Sequence, residues 1–127
     1  GRIVTIAGNT GHQPDPRMLP GAAANAALLA VTSGLARDVA ADGILINAVS
    51  PGPTLTPRWT DRFAQISSQT GQSVDDLKAD VESNIPTRRF GKPEEVARII
   101  AFLASDCATN ITGASITADG GSTRALA

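Results

Sequence analysis

Three short apolar runs along the chain, each closed by a glycine or proline turn, predict buried β-strands. The runs cover residues 2–7 (RIVTIA), 44–49 (ILINAV) and 114–118 (ASITA). Runs of this length that are rich in Val and Ile and show little polar alternation are typical of strands covered on both faces. The turns that end them are Gly8-Asn9, Ser50-Pro51-Gly52-Pro53 and Asp119-Gly120-Gly121.

A long helix is predicted over residues 22–41, after a loop at residues 12–21 that contains three prolines. Asp42-Gly43 provides its stop signal. One apolar stripe recurs at helical spacing, and a second face carries only alanine, which would let another helix approach closely. The stripe consists of Leu28, Val31, Leu35 and Val39, and the alanine face of Ala23, Ala26, Ala27 and Ala30.

Residues 92–105 show the clearest helical pattern in the chain. Pro93 suits a first helical turn, and Glu94 and Glu95 complement the helix dipole. Its apolar positions, which follow one helical stripe, are Val96, Ile99, Ile100 and Leu103.

The segment between these helices is more polar, and marginal helices are expected within residues 54–83. Ser73, with Asp76 three positions later, resembles a helix cap. Trp59 and Phe63 lie in the same segment, and they would either line a pocket or pack the segment against the rest of the fold. Residues 86–91 are expected to form a loop.

The order of strand, helix, strand, helices and strand predicts an α/β fold with parallel strands and right-handed crossovers. Three strands are few for such a sheet. Because Gly1 is followed at once by an apolar run, the chain is expected to begin within a domain. The first strand would then form an open edge, so residues 1–127 alone would aggregate.

Composition narrows the function classes. A formal net charge of -1 shows no excess of basic residues of the kind that binds nucleic acid or an anionic membrane. No apolar run approaches the ~20 residues of a membrane helix, so a cytoplasmic protein is expected. Cys107 and His12 cannot form a structural zinc site by themselves, so no metal is predicted. The chain contains no tyrosine, which excludes any chemistry that requires one.

Four motifs in order resemble the C-terminal half of a short-chain dehydrogenase/reductase, a doubly wound, Rossmann-type domain. They are GRIVTIAG at the first strand, NAAL in the long helix, DGILINAVSPGPTLTP around the second strand, and RRFGKPEEVARIIAFLASDCATNITGASITADGG at the end. The resemblance covers nearly the whole of residues 1–127. Only residues 58–85 align with nothing specific, and they correspond to the variable substrate-binding lid of that family. It implies NAD or NADP as cofactor, a small carbonyl or alcohol substrate, and a homodimer or homotetramer.

The catalytic residues of that family are replaced in this sequence. Its serine, tyrosine and lysine correspond to Gly8, Gly21 and Asn25, none of which can transfer a proton. Asn25 could still hydrogen-bond a ribose hydroxyl. His12 is a weak candidate for the acid, because histidine can donate a proton near neutral pH, but it would equally be a surface loop residue. Asn9 and Thr10 could replace the hydrogen bond of the serine, or simply form a turn.

The best-preserved part of the resemblance is the turn after the second strand. In that family the turn faces the nicotinamide, which predicts a cofactor-binding set of Asn25, Pro51, Gly52, Thr54 and Thr56. No G-x-G-x-x-G phosphate loop follows any strand of this chain. Three hypotheses remain open: an oxidoreductase, a non-catalytic binding or assembly subunit of the same fold, and an unrelated doubly wound binding module.

Overall fold

The three predicted strands form one parallel sheet in the computed structural model, which describes residues 1–124. They are β1 (Arg2–Ile6), β2 (Leu45–Pro51) and β3 (Ser115–Ala118), and β2 lies between the other two. Thr5 pairs with Ala48, and Val49 pairs with Ile116. The predicted parallel arrangement is confirmed, with β1 at one edge of this sheet.

Within the described residues, four α-helices connect and cover the strands. Three of them begin close to a predicted start, and the other lies in the segment where marginal helices were expected. They are α1 (Leu19–Val39), α2 (Pro57–Thr70), α3 (Val74–Ser83) and α4 (Pro93–Ala104). Helix α1 begins three residues before the predicted start, inside the predicted loop. Pro20 lies in its first turn, where a missing N–H leaves no intrahelical bond unmade. Gly43, at a φ of 71°, ends the short 3₁₀ turn that follows α1.

Helix α4 packs its predicted apolar stripe against one face of the sheet. Leu103 and Val49 are almost completely buried and form the centre of this core with Ala108. The partly buried side chains around that centre are Val4, Val96, Ile99, Ile100, Ile111, Ile116 and Ala118. This core confirms the stripe predicted for residues 92–105 and fixes the positions of β2 and β3.

Helix α1 packs on the opposite face through small residues rather than through its apolar stripe. Its buried residues are Ala22, Thr32 and Ala36, and the hydroxyls of Thr5 and Thr32 lie 2.9 Å apart. Val31 and Leu35, which belong to the predicted stripe, are 53% and 47% exposed. The apolar stripe therefore predicted the position of the helix correctly but not its buried face. The face that contacts the strands consists of small side chains, which allow the helix to pack closely against the sheet.

The segment Pro16–Asp42, which includes α1, is long and apolar enough to cross a membrane. The mean hydropathy of its best 18-residue window is 1.4, so the expectation that no run would reach this length is wrong. Length and composition are weak criteria, because helices that pack in a protein core also meet them. Here α1 places Thr32 and Ala36 against the sheet, as a helix of an α/β domain does.

Candidate active site

The loops that follow the three strands meet at the carboxyl edge of the sheet. Asn9, after β1, donates from Nδ2 to Oδ2 of Asp119, after β3, over 3.3 Å. Gly52, after β2, donates its backbone N–H to the carbonyl of Ala118 over 3.1 Å. Open parallel sheets bind ligands at this edge, so the candidate active site lies there.

Asn25 projects from α1 onto the loop that follows β1. Its Oδ1 accepts the backbone N–H of Gly8 over 3.0 Å, and its Nδ2 donates to Oγ1 of Thr10 over 2.9 Å. A backbone N–H can only donate, so the orientation of the amide is fixed by its partners. The structure thus brings together two of the replaced catalytic positions, Gly8 and Asn25, and adds Thr10 to them.

The glycines around Asn25 differ in the space that surrounds them. A Cβ at Gly8 would lie 2.9 Å from Nδ2 of Asn25. A Cβ at Gly11 would lie 2.9 Å from the backbone carbonyl carbon of Asn25. Neither position accepts a side chain without movement. A Cβ at Gly21 would meet nothing within 4 Å among the described residues. The position that corresponds to the family tyrosine is therefore open.

His12 is half-buried and holds the loop after β1 against the sheet. Its Nε2 lies 3.1 Å from Oγ of Ser50 and 3.0 Å from Oγ of Ser115, and the two hydroxyls are 2.9 Å apart. Ser50 is completely buried. The interpretation of His12 as a surface loop residue is wrong, because this nitrogen is engaged by two hydroxyls.

Ser50 and Ser115 were not predicted as functional residues. Both side chains leave adjacent strands of the sheet, but the chain contains many serines, and only the pairing of β2 with β3 brings these two together. Knowledge of that register would have been needed to find them.

The turn at residues 51–56 is fixed by its own backbone and by Gly91. Gly91 donates to the carbonyl of Pro53 and accepts from the N–H of Leu55, both over 2.9 Å. The hydroxyl of Thr54 donates to the carbonyl of Gly52 over 3.1 Å, so it is committed to the turn. Thr56, half-buried at the start of α2, makes no side-chain cap bond. Thr54 and Thr56 were both predicted to bind the cofactor. The hydroxyl of Thr56 is the one that is not used to stabilise the turn or to cap α2.

Asp119 lies behind this turn as a buried carboxylate. Burial alone would raise its pKa, but hydrogen bonds from Thr123, Asn9 and Gly121 outweigh burial and hold the pKa of Asp119 below its ordinary value. The backbone N–H groups of Gly121 and Thr123 lie 2.9 and 2.7 Å from its oxygens. A Cβ at Gly52 would come within 2.4 Å of Cβ of Asp119, so only glycine fits beside this carboxylate.

A cavity of about 260 Å³ lies between β3 and the start of α4. Arg89, at its rim, donates from Nη1 and Nη2 to the two carboxylate oxygens of Glu95, at 2.8 and 2.7 Å. This pair, together with the backbone N–H of Lys92, lowers the pKa of Glu95 to about 2. The bonds of Glu95 to Arg89 and Lys92 tie the loop before α4 to the start of that helix, and this loop carries Gly91.

The aromatic residues of the variable segment pack against one another. The ring of Trp59 lies 5.4 Å from that of Phe63 and 5.1 Å from that of Phe90. Phe63 and Phe90 are buried, at 3% and 4% exposed. This cluster fits the packing interpretation of Trp59 and Phe63, because it attaches α2 to the loop before α4.

Ser73 caps α3 as predicted, accepting the N–H of Asp76 over 3.0 Å.

Comparison with known sequences identifies relatives that are named as reductases. Residues 1–123 match a family described as enoyl-(acyl carrier protein) reductase. The chain is 34% identical over 126 residues to the NADPH-dependent reductase BacG of Bacillus subtilis, covering 99% of this chain and 49% of that protein. It is 36% identical over 121 residues to the 3-oxoacyl-[acyl-carrier-protein] reductase FabG of Haemophilus influenzae, covering 95% of this chain and 46% of FabG. The chain thus spans about half the length of the curated relatives it matches.

Solved structures share the fold over nearly the whole chain. L-sorbose reductase of Gluconobacter frateurii, complexed with NADPH and L-sorbose, matches with a TM-score of 0.95 and 31% identity, over 99% of this chain and 48% of that one. An NADPH-bound short-chain oxidoreductase of Pseudomonas aeruginosa with an atypical catalytic center matches with a TM-score of 0.87 and 31% identity, over 99% and 47%. The chain belongs to the short-chain dehydrogenase/reductase family.

Proposed function

We propose that the chain is the second half of a doubly wound domain of an NAD(P)-dependent oxidoreductase, located in the cytoplasm, that transfers hydride between a nicotinamide and a small carbonyl or alcohol. Support comes from relatives named as NADPH-dependent or acyl-carrier-protein reductases and from NADPH-bound structures of the same fold. The residues at the carboxyl edge of the sheet supply the seat for the nicotinamide.

The observation that carries this proposal is the fixed turn at residues 51–56, with one unused hydroxyl. The nicotinamide amide is uncharged and both donates and accepts hydrogen bonds, and the hydroxyl of Thr56 can do the same. Pro51 and Gly52 present backbone at the end of β2, and Thr54 stabilises the turn. Asn25, which keeps a second amide hydrogen beyond its bond to Thr10, can reach a ribose hydroxyl. These residues fit a neutral sugar and amide.

The cofactor, when bound, supplies the hydride; the residues of the chain bind and orient the reactants. No ionisable side chain stands at Gly8, Gly21 or Asn25, so none of these positions donates a proton. A positioned general acid contributes about 10²–10⁴-fold to a rate. The protein is therefore expected to bind the cofactor well and to reduce ordinary ketones slowly.

The hydrogen bonds of Asn25 favour a second candidate function. Gly8 and Thr10 hold both ends of the Asn25 amide. The loop after β1 is therefore fixed against α1 although no proton donor stands at the replaced catalytic positions. Such a protein would suit a role as a binding or assembly subunit. Cofactor binding without measurable turnover on any substrate would support this alternative over the oxidoreductase.

Thr56→Ala is expected to weaken cofactor binding by the natural protein about three- to tenfold, which is the value of one hydrogen bond. NADPH fluorescence titration measures the affinity. Thr60→Ala, one turn later on an exposed side of α2, is the matched control and should leave the affinity unchanged. Equal affinities for the two variants would remove Thr56 from the proposed seat.

We also propose that the protein is a homodimer or homotetramer that uses the alanine face of α1. All four alanines of that face (Ala23, Ala26, Ala27 and Ala30) are exposed, and isologous dimers are the commonest oligomers. Ala27→Arg should place a charge at the contact and reduce the mass measured by size-exclusion chromatography with light scattering. Ala79→Arg, on an exposed position of α3, is the control. An unchanged mass for Ala27→Arg would reject this face.

A further inference from the structure

We propose that Thr10 donates the hydrogen bond that polarises the substrate carbonyl, and that Asn25 and Gly8 hold its hydroxyl in place. This inference rests on the proposed oxidoreductase function and names the residue that faces the substrate. It follows from the direction of the hydrogen bonds around Asn25, from the engagement of neighbouring polar groups, and from the open space at Gly21.

The direction of the hydrogen bonds leaves the proton of Thr10 available. Nδ2 of Asn25 has no acceptor capacity, so its hydrogen occupies one lone pair of Oγ1 of Thr10. The hydroxyl proton of Thr10 must then point elsewhere, and no other hydrogen bond of Oγ1 is formed within residues 1–124. A hydroxyl that accepts a hydrogen bond becomes a better donor, because the bonds polarise one another.

Two neighbouring polar side chains of this loop already make hydrogen bonds to other parts of the fold. Nδ2 of Asn9 donates to the carboxylate of Asp119, and Nε2 of His12 faces the buried hydroxyl of Ser50 and the half-buried hydroxyl of Ser115. Asn9 keeps a second amide hydrogen, but the hydroxyl of Thr10 also accepts a hydrogen bond from Asn25, which makes it the stronger donor. Thr10 is half-buried at the carboxyl edge of the sheet.

The glycines complete the arrangement. Gly8 must lack a side chain, because a Cβ there would meet Nδ2 of Asn25 at 2.9 Å and displace the amide that orients Thr10. Gly21, one helical turn before Asn25, leaves open space on the same side of α1. That space can admit a substrate or a water molecule next to the loop.

The reaction can then be written without an acidic side chain. A reduced nicotinamide, when bound, would supply the hydride to the carbonyl carbon, and the π electron pair of the carbonyl would move to its oxygen. Thr10 stabilises that oxygen by its hydrogen bond and keeps its own proton. The oxygen takes a proton from water that enters beside Gly21, which leaves the alcohol, the oxidised nicotinamide and a hydroxide ion released to the buffer.

The test compares Thr10→Val, which removes the hydroxyl at nearly constant shape, with Thr10→Ser, which keeps it. The probes are NADPH and 4-nitrobenzaldehyde, and the natural protein is used throughout. Thr10→Val should lower kcat/KM at least tenfold, with most of the loss in kcat, as expected when a donor to a developing oxyanion is removed. Thr10→Ser should stay within about threefold of the parent, since it retains the donor.

Two further measurements separate this role from a structural one. The NADPH affinity of Thr10→Val should match that of Thr109→Val, an exposed control. The Tm of Thr10→Val should be lower, because Nδ2 of Asn25 loses its acceptor, and Thr10→Ser should restore both the Tm and kcat. A kcat/KM for Thr10→Val equal to that of the parent would overturn the role of Thr10 while leaving the oxidoreductase proposal intact. A parent that binds no NADPH, or that binds it and never oxidises it with this aldehyde, would overturn both.

Discussion

Carbonyl reduction by the natural protein is expected to rise about 10²–10⁴-fold when Gly8→Ser, Gly21→Tyr and Asn25→Lys are combined, the gain typical of a positioned general acid. Gly21 is exposed, and a Cβ there would meet nothing within 4 Å among the described residues. Asn25→Lys removes the amide that excludes a side chain at position 8 and places a cation near the new phenol, which favours its ionised form. The rate is measured as NADPH oxidation with 4-nitrobenzaldehyde.

The matched control carries Gly21→Phe in place of Gly21→Tyr, with the other two substitutions unchanged. It supplies the same ring and the same cation but no hydroxyl, so it should remain near the parental rate. A phenylalanine variant as fast as the tyrosine variant would show that filled space, rather than proton donation, limits the parent. Gly8→Ser alone should be destabilising, because Asn25 then still occupies the space of the new side chain.

Gly52→Ala is expected to lower the free energy of unfolding by about 1–3 kcal/mol, the usual cost of overpacking. A Cβ at this position would lie 2.4 Å from Cβ and 2.9 Å from Cα of Asp119. The end of β2 or the end of β3 must therefore move, and the predicted nicotinamide seat moves with it. Denaturant unfolding monitored by the fluorescence of Trp59 measures the free energy of unfolding. NADPH titration measures the cofactor affinity, which should fall if the turn has moved.

Gly34→Ala is the control for this substitution. Gly34 lies within α1, and a Cβ there would meet nothing within 4 Å among the described residues, so alanine should raise stability by about 0.4–1 kcal/mol through helix propensity and a less flexible unfolded chain. A Gly52→Ala protein as stable as the parent would show that the close approach of Asp119 is not required.

Local patterns in the sequence were sufficient to predict the elements that carry the fold. The apolar stripe of α4 places Leu103 on the core, and the short Val- and Ile-rich runs become parallel strands. The buried face of α1 could not be predicted in the same way. Its contacts with the sheet are made by Thr32 and Ala36, and hydrophobicity does not distinguish these residues from alanines on the exposed side.

The candidate site could be predicted only in part for a related reason. Resemblance located Gly8, Gly21 and Asn25, because each lies at a fixed distance from a recognisable motif. It did not indicate that Asn25 and Gly8 interlock, since that depends on the distance between a helix and a loop 17 residues apart in sequence. The bond of His12 to Ser115 joins positions 103 residues apart, so only the folded sheet reveals it.

We expect this protein to bind the nicotinamide at residues 51–56 although its usual proton-transfer residues are replaced. One stopped-flow experiment tests both binding and turnover, by following NADPH fluorescence as the cofactor is mixed with the natural protein and 4-nitrobenzaldehyde is then added. We predict a saturable fluorescence change on binding, followed by oxidation well below the roughly 1–10³ s⁻¹ of ordinary enzymes. Turnover within that range, or no binding signal at all, would contradict the account.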